Sequence, residues 1–445
     1  MNSKGAKHLT NDANSRQLGF WMTWAVAVGT MIGSGIFMLP ASLAPFGVNA
    51  IAGWVISGLG AVALAFCIGR LAGAGGGGIQ SYVEAAFGPF VAFVTTFAFW
   101  ISTWAALAAV AVAGGAAVGQ VIPALASDFA VAMTAIAFLL FFQATNVLGA
   151  RSTGRLAVAA AILKILPLVA VLIVFLQTKL AGQPGATFAP MPLTLDNVAA
   201  ASAITLFAML GFENAAAPVD KVKDPQRTIP RALIAATIMV ASLYLLTSSA
   251  ILALLPVDVA SQSNSPFADA VGRGWGAIGA TFAALAIAIS AAGYINANVL
   301  VCGELGYSMA LRREMPAFLG RTLRGHTPLN AQLVGTALSC AVILANESKG
   351  TAGLFTFMAL LTASATLWLY LAVAFGALKQ RPRGLALIGV LAGLAFTLFA
   401  FYGSGLEANL WSLALLAAGI IMFGIMRLRH GPTPAPEAAP ASPGE

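Results

Sequence analysis

Apolar residues dominate the chain in long runs, and the polar residues gather in short breaks between those runs. A membrane-crossing helix needs about 20 consecutive, mainly apolar residues. The pattern predicts twelve such segments: 18–40, 48–68, 89–121, 129–148, 156–176, 198–219, 232–255, 275–310, 331–345, 354–377, 385–402 and 406–426. The third and eighth are too long to cross upright, which implies tilt or extension beyond the bilayer; the ninth is short. A proline-containing stretch at 181–194 separates the fifth segment from the sixth and is expected to lie across the outer surface.

Composition strengthens this picture. Of 445 residues, 59% are hydrophobic and only 9% charged, against roughly 25% charged in soluble domains. The net charge of +8 is expected from cytoplasmic loops rich in Lys and Arg and is no sign of nucleic-acid binding. Twelve spans place both termini on one side. The other side then receives only Lys179, Arg273 and Lys349, Lys164 lies within a span, and every other Lys and Arg falls on the side of the termini. That side is therefore read as the cytoplasm, with the protein in the inner membrane. Cys67, Cys302 and Cys340 lie in or beside apolar runs without metal-ligand spacing, and His8, His326 and His430 are scattered outside the spans. No metal site, cofactor or catalytic cluster is expected, and no cleavable leader is read at the N-terminus. The Pro- and Ala-rich tail 431–445 is expected to be disordered.

Two segments are interrupted near their middles. The first carries Gly29-Thr30-Met31-Ile32-Gly33-Ser34-Gly35-Ile36-Phe37, and the sixth carries Phe207-Ala208-Met209-Leu210-Gly211-Phe212-Glu213-Asn214. Elements five spans apart have opposite orientations in the membrane, and matched breaks in two halves point to a transporter site. Backbone unwound at membrane depth must line a cavity, because lipid offers it no hydrogen bonds. A half-helix N-terminus presents N–H donors to an anion, and freed carbonyls accept from an ammonium. Glycines that merely permit close helix packing are the plainer explanation of one such motif, but not of a matched pair with a carboxylate in one of them. Glu213 must face a cavity or a partner; it serves either proton coupling or gating, or a fixed hydrogen bond across the break. Lys164, in mid-span, can stand where a cation would bind and donate to carbonyls of the first segment. Glu304 is expected to pair with Arg312 or Arg313. A channel is disfavoured by the absence of a pore-lining repeat, and an enzyme by the absence of a nucleophile, base or metal cluster in the spans.

The motif from Gly29 to Pro40, Gly77-Gly78 with Tyr82 and Phe87-Gly88-Pro89-Phe90, Gly211-Phe212-Glu213-Asn214, and Asp224-Pro225-Gln226-Arg227-Thr228-Ile229-Pro230 resemble the amino acid–polyamine–organocation (APC) superfamily. They are most similar to its bacterial branch of basic amino acid and polyamine antiporters. The resemblance implies an all-α integral membrane protein of twelve transmembrane helices with a LeuT-like 5+5 inverted repeat, the first and sixth helices broken, and two extra helices. It divides the chain into a cytoplasmic segment 1–17, a first repeat 18–178, a second repeat 195–378, helices eleven and twelve at 384–427, and the tail 431–445. It implies transport of an amino acid or related amine, by antiport or proton-coupled symport without sodium. By position, Ser34 and Gly35 would hold the substrate carboxylate, and the carbonyls of Met31, Phe207 and Leu210 its amino group, with Ile32, Gly33 and Ala208 completing the unwound segments. Glu213 matches a gating, proton-linked glutamate and Lys164 a lysine that fills the place of sodium in some members. Leu107 and Asn298 stand where the arginine exchanger has a polar and a stacking contact. A pocket of Leu107, Val110 and Phe207, with Asn298 and Thr362 as polar points, suits a neutral or modestly polar amino acid better than arginine. The family contains monomers and dimers, which leaves a homodimer open.

Overall fold

The computed structural model describes residues 18–72, 79–147, 153–213, 222–323 and 327–430. The segments 1–17 and 431–445, Gly77-Gly78, Asn214 and His326, about which the sequence raised expectations, lie outside the described residues.

Among the described residues the chain forms helices and no strand; two isolated bridges, Leu18 to Val222 and Leu323 to Thr327, tie loops together. In chain order the helices are α1 (Phe20–Met31), α2 (Leu39–Leu43), α3 (Val48–Ala72), α4 (Ile79–Phe87), α5 (Pro89–Val121), α6 (Asp128–Val147), α7 (Thr153–Leu180), α8 (Leu195–Met209), α9 (Pro225–Leu254), α10 (Val257–Gln262), α11 (Pro266–Leu311), α12 (Leu329–Ala345), α13 (Gly350–Lys379), α14 (Leu385–Gly403) and α15 (Gly405–His430). Among the described residues, nine helices are long and apolar enough to cross a membrane: α3, α5, α6, α7, α9, α11, α13, α14 and α15. Three more, α1, α8 and α12, are apolar but shorter. The first two of these stop at the breaks read from the sequence.

Hydrophobicity is distributed in a way only lipid explains. Ile278, Leu385 and Leu428 are 86%, 85% and 90% exposed, which would be costly for a protein surrounded by water. The polar residues are turned inward instead. α5 is enclosed almost throughout, between α11, α13, α6 and α12, whereas α14 and α15 mostly face outward. Gln143, Gln332 and Thr336 sit buried between α6 and α12, with Thr336 Oγ1 donating to Gln143 Oε1 at 2.9 Å.

Local chemistry sets the boundaries. Thr194 caps α8 by accepting from the Asn197 N–H at 3.3 Å. Asp224 adopts left-handed backbone, which its short polar side chain tolerates, and hands the chain to Pro225 at the first helical position of α9. α11 is two helical pieces meeting at Gly276, whose φ of 66° breaks the helix. The break falls at the start of the eighth segment, 275–310, which otherwise runs on as one long helix. The stretch 181–194 carries no helix beyond a turn; it is pinned by Ala186 N–H donating to Ala253 O (2.8 Å) and Asn49 Nδ2 donating to Pro192 O (3.0 Å). The pairing expected of Glu304 is not seen: Arg312 pairs with Glu84 at 2.7 Å and Glu314 at 3.1 Å, and Glu304 forms no ion pair among the described residues. Those two partners come from α4 and from the turn after α11, both closer to the guanidinium than a residue two turns back along α11.

A candidate substrate cavity at two helix breaks

α1 ends at Met31, the backbone is extended at Gly33, and a 3-10 turn, Ser34–Phe37, precedes α2. α8 ends at Met209, Leu210 is extended, and Gly211 takes φ of 115°. The two irregular segments lie against each other: a Cβ at Gly211 would come within 2.5 Å of Thr30 O. Only glycine permits both this approach and this φ.

Each break has its own hydrogen-bond solution. At the first, the carbonyl of Met31 accepts from the hydroxyl of Tyr244, on α9, at 3.1 Å. At the second, the buried Glu213 carboxylate accepts from the Gly211 N–H, 3.0 Å from each oxygen, and from the Tyr370 hydroxyl on α13 at 2.9 Å. Phe212 stacks on Tyr370 with ring centroids 5.6 Å apart, which fixes that hydroxyl.

A cavity of about 280 Å³ opens where the breaks meet. Of the residues expected from sequence, Met31, Gly33, Gly35, Val110, Lys164, Phe207, Ala208, Leu210, Glu213, Asn298 and Thr362 line it. Ser34 opens the 3-10 turn beside it, and its side chain lies outside the described residues. Ile32 and Leu107 do not line it; both are buried in the surrounding core. On α5 the lining face is Phe99, Ser102, Thr103, Ala106 and Val110, a spacing of three and four residues that points Leu107 away. Phe207 closes one side: a Cβ on Gly35 would meet its Cε1 at 2.4 Å, and its ring meets Phe355 edge-on at 5.8 Å.

Among the described residues, Glu213 and Lys164 are the acidic and basic side chains that line the cavity. Lys164 Nζ donates to no described residue, and the Met31 carbonyl, a candidate partner, is taken by Tyr244. The remaining polar side chains are partly committed to their own helices. Asn298 Nδ2 donates to Tyr294 O at 3.0 Å, Thr362 Oγ1 to Met358 O at 2.7 Å and Thr103 Oγ1 to Phe99 O at 2.8 Å. Their oxygens retain lone pairs for a ligand. Tyr294, which sequence reasoning did not single out, lines the cavity, and a Cβ on Gly33 would meet its ring at 3.6 Å. Its signal was its place one turn before Asn298 on the same helical face.

A lipid-facing helical shell around a cavity lined by a few polar side chains and bounded by irregular backbone from two helices defines a multi-pass membrane carrier. The match to the amino acid permease family runs over residues 18–426, and the chain belongs to that family. It is therefore a transporter and not an enzyme. Among curated relatives, the putrescine transporter PotE of Escherichia coli K12 is 24% identical over 434 residues, 94% of this chain and 98% of the relative. The cadaverine/lysine antiporter of the same organism is 26% identical over 355 residues, 76% of this chain and 78% of the relative. PotE of Haemophilus influenzae is 24% identical over 426 residues, 93% and 98% of the two chains.

Proposed function

We propose that the protein carries a zwitterionic amino acid across the inner membrane by alternating access, without sodium, as an antiporter or a proton symporter. In this reading α1 with α2, α8 with the chain that follows it, and the ten other apolar helices make twelve spans. The first five and the next five form inverted repeats, followed by two extra helices, with both termini in the cytoplasm. The observation that carries the reading is the meeting of the two breaks at Gly211 and Thr30, with Glu213 fastened across the second. Irregular backbone at the start of the turn Ser34–Phe37 suits a carboxylate, and freed carbonyls suit an ammonium. The cavity runs from Phe207 and Val110 past Gly29, Asn298 and Val301, toward the end of the bundle where Lys and Arg concentrate. Beyond Phe207, the buried Phe37 and Phe267 meet edge-on at 5.1 Å. We read this as a state closed on the outer side.

The second reading is exchange of diamines or basic amino acids, the cargo that the relatives' names give for them. A diamine brings two positive charges and no carboxylate to a cavity whose acidic side chain, Glu213, is already engaged by Gly211 and Tyr370 and whose basic side chain, Lys164, is not. Like charges in a low-dielectric site repel strongly, so the carboxylate-bearing cargo is favoured.

Proteoliposomes in sodium-free buffer test both readings. A panel of radiolabelled amino acids and their decarboxylated amines would be offered with and without the same compound inside, and with and without an inward proton gradient. Uptake of an amino acid but not of its amine supports the proposal. Uptake of diamines alone, or a requirement for sodium, overturns it.

A further inference from the structure

Away from the central cavity, a groove of about 470 Å³ runs between α4 with the start of α5 and the last third of α13. Its walls are apolar: Val91 and Val94 on one side, Leu371 and Phe375 on the other. Phe375 and the neighbouring Phe90 are each 44% exposed, so the groove is open to the membrane rather than sealed by another helix.

One end of the groove is basic. Lys379 lines it, with Nζ donating to Ala86 O at 2.5 Å and lying 5.4 Å from the centroid of the Phe87 ring. Across Phe90, the Arg427 guanidinium lies 4.8 Å over Phe423, whose ring stacks on Phe93 at 4.6 Å and leans on Phe90 at 5.6 Å. Both cations are thus held in place by aromatic rings. Neither forms an ion pair with a carboxylate among the described residues, although Arg427 lies within electrostatic reach of Glu314. Arg381 and Arg383 follow Lys379 directly in the chain. Apolar walls ending in the anchored Lys379, with Arg427 beside them, match the two parts of one molecule, an acyl chain and an anionic headgroup.

We infer that this groove is a binding site for an anionic phospholipid of the bilayer, with an acyl chain between α5 and α13 and the headgroup phosphate at Lys379 and Arg427. The assignment does not depend on which cargo the central cavity takes. It places the lipid on the same helix that supplies Tyr370 to Glu213 and Thr362 to the cavity.

Native mass spectrometry of the full chain tests the inference. The purified, delipidated protein would be titrated with phosphatidylglycerol or phosphatidylcholine of the same acyl chains. Wild type is expected to retain phosphatidylglycerol preferentially. Lys379→Gln with Arg427→Gln is expected to weaken that retention on the order of tenfold while leaving phosphatidylcholine unchanged. Ala372→Trp, which fills the groove and keeps both charges, is expected to abolish the preference as well. A matching melting temperature for each variant shows that it is folded. Equal retention of the two lipids by wild type, or a preference that survives either folded variant, would overturn the assignment, as would a dimer whose formation alone displaces phosphatidylglycerol.

Discussion

The two helix breaks face the same physical problem and solve it differently. At the first, the carbonyl of Met31 accepts from the Gly33 N–H at 2.7 Å and, from another helix, the hydroxyl of Tyr244 at 3.1 Å. At the second, the unmet group is an N–H, that of Gly211, and the acceptor is a side chain two residues on, the carboxylate of Glu213, steadied by Tyr370. The first break therefore depends on neutral groups alone. The second contains an ionisable one, so only it can exchange a proton without rebuilding its backbone contacts. In the proposed function, the first break would hold cargo and the second would couple its movement.

Substitutions can break this contrast, in order of expected effect. Gly211→Ala forces a Cβ against Thr30 O at a backbone angle that alanine avoids, separating the two breaks. Transport by reconstituted protein should fall by about a hundredfold or more, with unchanged size-exclusion behaviour as the control for folding. Glu213→Gln keeps shape but removes charge. Proton-driven uptake should be lost, while exchange without a gradient should persist at about a tenth of its rate. Tyr370→Phe and Tyr244→Phe each delete one hydroxyl. The first removes a bond to a carboxylate and should lower thermal stability more, by about 1.5–3 kcal/mol against about 0.5–1.5 kcal/mol for the second. Equal losses would mean that Glu213 is not charged in the resting protein. Gly35→Ala pushes only on the edge of the Phe207 ring, so KM should rise by about tenfold or less with kcat little altered.

The smallest effect lies at the rim, outside the spans, in the cluster of Glu84, Arg312 and Glu314. Burial raises the Glu314 carboxyl above its ordinary range, the nearby Glu84 charge adds to this, and Arg312 and Arg427 oppose it. The folded protein then binds the Glu314 proton more tightly than the unfolded chain. The stability this contributes is present below the ordinary carboxylate pKa and is lost as pH rises through the raised folded value. Melting curves across mildly acidic pH should show this slope in wild type and not in Glu314→Gln.

Much of the cavity lining was readable from the sequence because membranes make polarity conspicuous. Glu213, Lys164 and the glycines of the first segment stand out in apolar runs, since charge and unwound backbone at that depth require a partner. The tyrosines did not stand out. Tyr244, Tyr294 and Tyr370 sit in apolar runs where an aromatic ring fits ordinary packing, and only the fold shows where each hydroxyl points. Leu107 does not line the cavity for a geometric reason: two positions one residue apart on α5 differ by about 100° around the axis, and the polar marks of the lining face, Ser102 and Thr103, lie on the turn before it. The pairing of Arg312 with Glu84 links elements far apart in sequence, which helix spacing does not reveal.

The central claim is that cargo binds between the two breaks. Single cysteines at Ala208 and Asn298, on opposite walls of the cavity, would be labelled with a small thiol reagent in a variant lacking the native cysteines. The amino acid found to be carried in proteoliposomes would be present or absent. The account predicts that saturating cargo slows labelling at both positions, while its decarboxylated amine does not. Labelling that stays equally fast at both positions, in protein that still transports the same compound, would contradict it.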